Sequence, residues 1–258
     1  MGTMLFRGQG KVWMGTRDAN GNPQNLRWVG NTPEAKVGLE LTTIEHKESY
    51  SGQNLTDARL DTEKKATVSF TLESIQKDNL ALAFRASLVT VAAGAAITGE
   101  VLGGGVTTLA VGDLLKFAKR NASAVTIKDS TGTPKTLTAG VNYRLNAALG
   151  TIEILDLTTG GPFVGPLKAD YTPGDATELG LFTQGSTPYY LFFEGLNTAD
   201  SNTPVGVDLY KVLIDPAKEF DLITDDFAKF AIEGSVLMDD SKPSSNVLGQ
   251  FGAVYNLK

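Results

Sequence analysis

The stretch EHKESYSGQNLTDARLDTEKKATVSFTLES, Glu45 to Ser74, decides the fold because it changes character halfway. Its second half alternates, with Ala66, Val68, Phe70 and Leu72 on one side and Lys65, Thr67, Ser69 and Thr71 on the other. That period of two predicts a half-buried strand from Lys65 to Glu73. The first half runs polar for roughly twenty residues, far beyond the usual hairpin connection of two to five.

Working outward, Val37-Gly38-Leu39-Glu40-Leu41-Thr42-Thr43 alternates again and puts Val37, Leu39 and Leu41 on one face. Further upstream, Gly10–Gly15 and Leu26–Gly30 flank the turn DANGNP (Asp18–Pro23), which predicts a hairpin. Downstream, Ser74 is the expected N-cap of a helix reaching about Arg85, with Ile75, Leu82 and Ala83 facing inward. Ala86 to Gly180 is rich in Gly, Thr and Ala, and its turn signals separate the short apolar runs Ala124–Ile127, Thr151–Leu155 and Lys168–Tyr171. This predicts a small β module inserted at 89–180 between core segments 1–88 and 181–258. Beyond it, Pro188–Glu194 is apolar on both faces, as a central strand requires. Val205–Ile214 is a further strand, and Asp226–Leu237 closes the set, with Phe227, Phe230, Ile232, Val236 and Met238 as apolar anchors. The expected class is all-β with one flanking α-helix, and no solenoid period is present.

Composition bounds the function. The 258 residues are 41% hydrophobic and 20% charged, which suits a folded domain rather than a disordered chain. The net charge of -6 argues against tight binding to a phosphate backbone. With no cysteine there is no disulfide framework, thiolate metal site or cysteine nucleophile, and assembly in a cytoplasm fits. MGTMLFRGQGKVW contains no run that reads as a signal peptide, and Phe6 stands where a myristoylation motif wants Ser or Thr. The uncharged, Ala-, Gly- and Thr-rich stretch Ala86–Gly99 is shorter than the roughly 20 residues of a membrane helix, so a soluble protein is expected.

The chemical motifs are sparse. The single histidine, His46, lacks the partners of a triad or a metal site. There is no nucleophile elbow, and Gly103–Gly105 is not followed by the Lys-Ser or Lys-Thr of a phosphate-binding loop. Asp225-Asp226 and Asp239-Asp240 are adjacent pairs whose side chains on a strand point to opposite faces. DANGNP lacks the further carboxylates of a calcium loop and reads as a turn. The expectation is a protein without catalytic residues, metal or cofactor. From Asp215 to Asp240, eight acidic residues face two lysines, an acidic surface that would let nucleic acid pass without sticking.

Taken in order, LRWVGNTP, LELTTIEHKESYSGQNLTDARL, EKKATVSFTLESIQKDNLALAF and FDLITDDFAKFAIEGSVLMDD resemble the major tail tube proteins of long-tailed bacteriophages. The resemblance covers roughly the first 90 and last 70 residues. The segment VTIKDSTGTPKTLTAGVNYRLNAALGTIEIL (Val125–Leu155), followed by PLKADYTPG, is similar to a segment of some of those proteins.

The resemblance implies a structural subunit of the virion tail, assembled in the host bacterial cytoplasm. Such subunits form hexameric rings that stack into a tube, and each contributes strands of its β-sandwich or barrel to a shared inner β-barrel. Genomic DNA passes through without specific binding. Tail terminator, tape measure and distal tail proteins are the implied partners. In this family a long loop reaches the next subunit, and the matching loop is His46 to Arg59. Its candidate contact residues are His46, Lys47, Glu48, Tyr50, Gln53, Asn54, Asp57 and Arg59, of which Tyr and Arg are favoured at interface hot spots. Lys65, Thr67, Ser69, Thr71 and Glu73 are the candidate lumen-facing residues. The inserted module is expected on the tube exterior. Rival expectations are another virion β protein, such as a head-tail connector or decoration protein, or a carbohydrate-binding adhesin. The adhesin would need Tyr189, Tyr190 and Phe192 exposed in a groove.

Overall fold

The alternating run folds as a strand, but as the inner half of a longer one. The computed structural model describes residues 5–243 and 248–255. In chain order the first strands are β1 (Gly8–Arg17), β2 (Pro23–Trp28), β3 (Glu34–Lys47) and β4 (Thr56–Leu72), followed by helix α1 (Lys77–Ala83). Next come β5 (Ser87–Val91), β6 (Ile97–Val101), β7 (Leu114–Lys116), β8 (Ala122–Lys128), β9 (Thr136–Leu137), β10 (Tyr143–Asn146), β11 (Thr151–Ile154), β12 (Lys168–Pro173) and β13 (Ala176–Gly180). The chain ends with β14 (Pro188–Asn197), β15 (Thr203–Ile214), β16 (Phe230–Val236) and β17 (Gly252–Tyr255). Two units divide it, one of Met1–Ser87 with Gly180–Lys258 and the other of Leu88–Leu179.

In the first unit one antiparallel sheet runs β2-β1-β14-β15-β16-β4-β3, with β17 also paired to β15. The doubly apolar strand β14 is central, between β1 and β15. Ala66, Val68, Phe70 and Leu72 are buried with Val12, Met14, Leu191, Val212, Phe230 and Ile232 in one core. Val12 and Leu191 line the same groove as Val37 and Val68, so the two ends of the sheet face each other across it. The sheet is curled but not closed into a barrel, and β2 and β3 remain its edges.

The helix is shorter than the sequence suggests. Its N-cap is Gln76 and not Ser74, and Ile75 is exposed while Leu82 and Ala83 are buried. Ser74 is committed elsewhere. Its side chain packs over Gly30, whose φ of +97° and contact distance leave no room for a Cβ. Its carbonyl accepts from buried Asn79 Nδ2 at 2.9 Å, and Asn79 also donates to the Val29 carbonyl at 2.7 Å. After Phe84 the chain turns through Arg85 at φ 45°. Arg85 N donates to Leu82 O and Ala86 N to Ala81 O, the paired bonds of a Schellman stop. The Arg85 guanidinium then donates to the Ile214 carbonyl at 2.7 Å, fastening the helix end to β15.

Two expected anchors are not anchors. Phe227 and Met238 are exposed, because β16 begins only at Phe230 and ends at Val236. Ahead of it, Thr224 and Asp226 bond each other in a turn that holds Phe227 outside the sheet. Phe230 itself stacks on Phe220 at 4.7 Å and meets Phe84 edge-on.

The second unit has its own core, in which Leu115, Phe117, Ile127, Ile152, Ile154, Leu167 and Tyr171 are buried. A three-stranded sheet, β10-β11-β7, and a four-stranded one, β6-β12-β8-β9, supply these residues except Phe117 and Leu167, which flank β7 and β12, and β5 pairs with β13. Gly103 and Gly104 take φ of 60° and 66° in a tight turn. Buried Asp129 and Asn142 hold neighbouring turns through their side chains.

Phe230→Ala is expected to cost about 3–5 kcal/mol in denaturant unfolding, since it empties a fully packed aromatic site. Leu39→Ala, on the same sheet, is expected to change the stability of the dispersed chain by less than about 0.5 kcal/mol.

Candidate functional site, an exposed two-stranded arm

Strand β4 has two neighbours along only part of its length. From Ala66 to Leu72 it pairs with β16 on one side and β3 on the other. From Thr56 to Lys65 it pairs with β3 alone, so Glu40–Lys47 and Thr56–Lys65 form a free two-stranded arm. The expected loop from His46 to Arg59 is therefore strand at both ends and loop between them. His46 and Lys47 end β3, Asp57 and Arg59 lie on β4, and only Glu48 to Leu55 connects them. The reason is main-chain satisfaction. Paired as a ribbon, the polar residues satisfy their N–H and C=O groups, which an extended loop would leave to water.

Two bulges shape the arm. Thr62 is the extra residue opposite Thr42, and its hydroxyl donates to the Thr42 carbonyl at 3.0 Å. Asp57 is the extra residue near His46, and its Oδ1 sits 2.5 Å from His46 Nδ1. Bulges sharpen the local twist and discourage chance pairing along an edge.

The tip is organised by one carboxylate. Glu48, buried at 4% exposure, accepts hydrogen bonds from the amides of Tyr50 at 2.9 Å, Ser51 at 2.8 Å and Leu55 at 3.3 Å, and from the Ser51 hydroxyl. The Ser51 hydroxyl bond, then its amide bond, lower the Glu48 carboxyl to about 2. Gly52 and Asn54 take the positive φ values that close the turn, and Gln53 N donates to the Ser51 hydroxyl at 3.2 Å. Tyr50 is held outward, 87% exposed.

The arm is also apolar where water reaches it. Leu39 is 83% exposed, and Leu41, Ile44, Leu55 and Leu60 are exposed as well. Leu39 and Leu41 continue the core face of Val37, while Ile44 pairs with Leu60. The sequence pattern placed Val37, Leu39 and Leu41 together on one face, and none of the three is buried. The signal lay in the partner strand. TDARLDTEKK offers Leu41 a lysine, Lys64, as its cross-strand neighbour, and has no apolar layer to set over β3.

Of the candidate lumen residues, Lys65 is exposed and Thr67, Ser69 and Thr71 are half-buried on the face away from the core. Gly38 lies opposite Thr67, where a Cβ would sit 2.6 Å from the Thr67 hydroxyl oxygen. Glu73 lies past the strand end, bonded by Asn31 Nδ2 at 2.5 Å and 3.6 Å from Lys229. Tyr190 is buried and Tyr189 and Phe192 half-buried, so they form no exposed aromatic groove. Within the acidic run, Asp239 is buried against Arg17 at 2.7 Å, and Lys218 bonds Glu233 at 2.6 Å. Among the described residues no cluster of acidic residues and histidine is placed to hold a metal ion, and no helix is long and apolar enough to cross a membrane.

Compared with known families, residues 5–255 match the one described as Protein of unknown function UCP028589. No curated protein matches the chain.

Because the Glu48 carboxyl is lowered from 4.5 to about 2, its contribution to tip order is complete above pH 4.5. It is lost as the pH falls through about 2. The amide resonances of Tyr50 and Ser51 should report that titration, and Glu48→Gln should leave them disordered at neutral pH. A Glu48 midpoint near 4.5 would contradict the assignment.

Proposed function

We propose that this chain, which belongs to the family matched over residues 5–255, is a structural subunit of a bacteriophage tail tube. The observation that carries the reading is the arm. Glu40–Lys47 and Thr56–Lys65 pair only with each other and expose Leu41, Ile44 and Leu60, the tip exposes Tyr50 and Leu55, and Leu39 is exposed at the arm's base. An isolated two-stranded ribbon is at best marginally stable in water, and clustered exposed apolar groups mark interaction surfaces. A second copy of the chain supplies what the arm lacks. It covers the apolar positions at roughly 25 cal/mol for each Å² removed from water, and it closes the open edges at β2 and β3.

Subunits in this role close into hexameric rings by heterologous contacts and stack into a tube. Strands of each subunit would join one inner barrel that none of the sheets closes by itself. Lys65, Thr67, Ser69 and Thr71 then supply a lumen of short hydroxyls with little net charge. With the chain's net charge of -6, this binds DNA weakly enough for transit. The tape measure, tail terminator and distal tail proteins are the further partners, the assembled protein resides in the virion tail, and no catalysis or cofactor is involved. The unit Leu88–Leu179 lies on the tube exterior in this reading.

Negative-stain electron microscopy of the purified chain should show rings and tubes. Replacing Ser49–Asn54 by Asn-Gly keeps a two-residue hairpin turn while removing Tyr50 and Gln53. That variant should fold and stay dispersed. Tubes of ordinary length from it would refute the role of the tip. Single rings without filaments from the unaltered chain would favour a connector.

A further inference from the structure

Residues 221–227, Asp-Leu-Ile-Thr-Asp-Asp-Phe, expose three large apolar side chains almost completely: Leu222 at 85%, Ile223 at 95% and Phe227 at 86%. Asp221, Asp225 and Asp226 are exposed beside them. The segment is anchored at both ends, by Phe220 stacked on Phe230 and by Lys229, whose charge faces Glu73 at 3.6 Å. It is thus an acidic, apolar loop held away from the body of its own sheet.

A matching depression lies at the other end of that sheet. Leu39, Leu41, Ala66 and Phe251 line a groove of about 260 Å³ together with Lys64, Lys65 and Glu40. Lys65 is 3.6 Å from Glu40, whereas Lys64 has no ion-pair partner among the described residues. The groove therefore presents apolar surface with one uncompensated cation, and the loop presents apolar surface with carboxylates.

The two cannot meet within one copy. Phe230 pairs with Leu72, and the groove begins at Ala66, six residues back along the strand. At about 3.3 Å per strand residue, that separation is about 20 Å. Leu222, Ile223 and Phe227 each lie within three residues of Phe220 or Phe230, which holds their Cα atoms at most about 11 Å from an anchor. We infer that residues 221–227 of one copy dock in the groove of a second, with Leu222, Ile223 and Phe227 against Leu39 and Leu41. Lys64 then faces the docked carboxylates. Loop and groove sit at opposite ends of the sheet, so the contact is heterologous and passes from copy to copy without using up either surface. The inference rests on the reading that the chain self-assembles, and it names two of the surfaces that would do so.

Charge reversal tests it in the full chain. Asp225→Lys with Asp226→Lys, or Lys64→Glu alone, should raise the concentration needed for assembly about tenfold. Sedimentation reads that concentration. Combining the three substitutions should restore it toward the unaltered value, which also shows that the variants fold. Unchanged assembly in the reversed variants, or no recovery in the combination, overturns the docking. If the unaltered chain does not assemble at all, the tube reading fails separately, and a fluorescein-labelled peptide of residues 219–229 still probes the groove. Saturable binding to the full chain, weakened about tenfold by Lys64→Glu, supports the site. Absence of binding, or binding indifferent to Lys64→Glu, overturns it.

Discussion

The architecture turns on how the hydrogen bonds of one strand are shared. Between Ala66 and Leu72, β4 is a central strand with β16 and β3 on its flanks, and its alternate side chains fill the core. Before Ala66 it has β3 alone. Each residue on the doubly paired side is fixed by two ladders and a packed face, whereas the free side is fixed by one ladder and the turn at Glu48. The same strand thus holds the subunit together and carries a ribbon out of it.

That division separates the part of the sheet that is packed from the part that is left uncovered. The core depends on Phe230, Phe220, Leu72 and the helix end fastened to Ile214 by Arg85, none of which lies on the arm. The arm instead keeps its own main chain satisfied, bends at Thr62 and Asp57, and caps its tip with one ionised carboxylate. What it does not satisfy is apolar surface, at Leu39, Leu41, Ile44, Leu55 and Leu60. Residues 221–227 also leave apolar side chains uncovered, at Leu222, Ile223 and Phe227. A subunit whose unmet surfaces lie at opposite ends suits a repeating head-to-tail assembly better than a closed pair.

Much of this was legible in the residues. The alternation from Ala66 to Leu72 placed a strand and its core face, and the two-sided apolar run at Tyr189–Phe193 placed a central strand. The Gly- and Thr-rich composition begins near Ala86, close to where the second unit begins at Leu88. Other features depended on contacts that no local pattern encodes. Ser74 looks like an N-cap until Gly30, distant in sequence, takes its side chain. Val37, Leu39 and Leu41 look like core until their cross-strand partners are known, because alternation records which residues share a face and not whether anything covers it. Polar composition made all of His46–Arg59 read as loop, although its two ends pair as a ribbon, which needs only main-chain pairing and a good turn, and only Glu48–Leu55 is loop. Phe227 looked like an anchor because exposed and buried phenylalanines are the same letter.

The central claim is that a second copy covers the arm. Amide hydrogen exchange along Glu40–Lys47 and Thr56–Lys65, compared between dispersed and assembled protein, tests it most directly. In the dispersed chain these amides should exchange far faster than those of Ala66–Leu72, since local opening needs only one ladder to break. On assembly their exchange should slow to approach that of Ala66–Leu72. Protection that is the same before and after assembly would show that the arm is not the joining element.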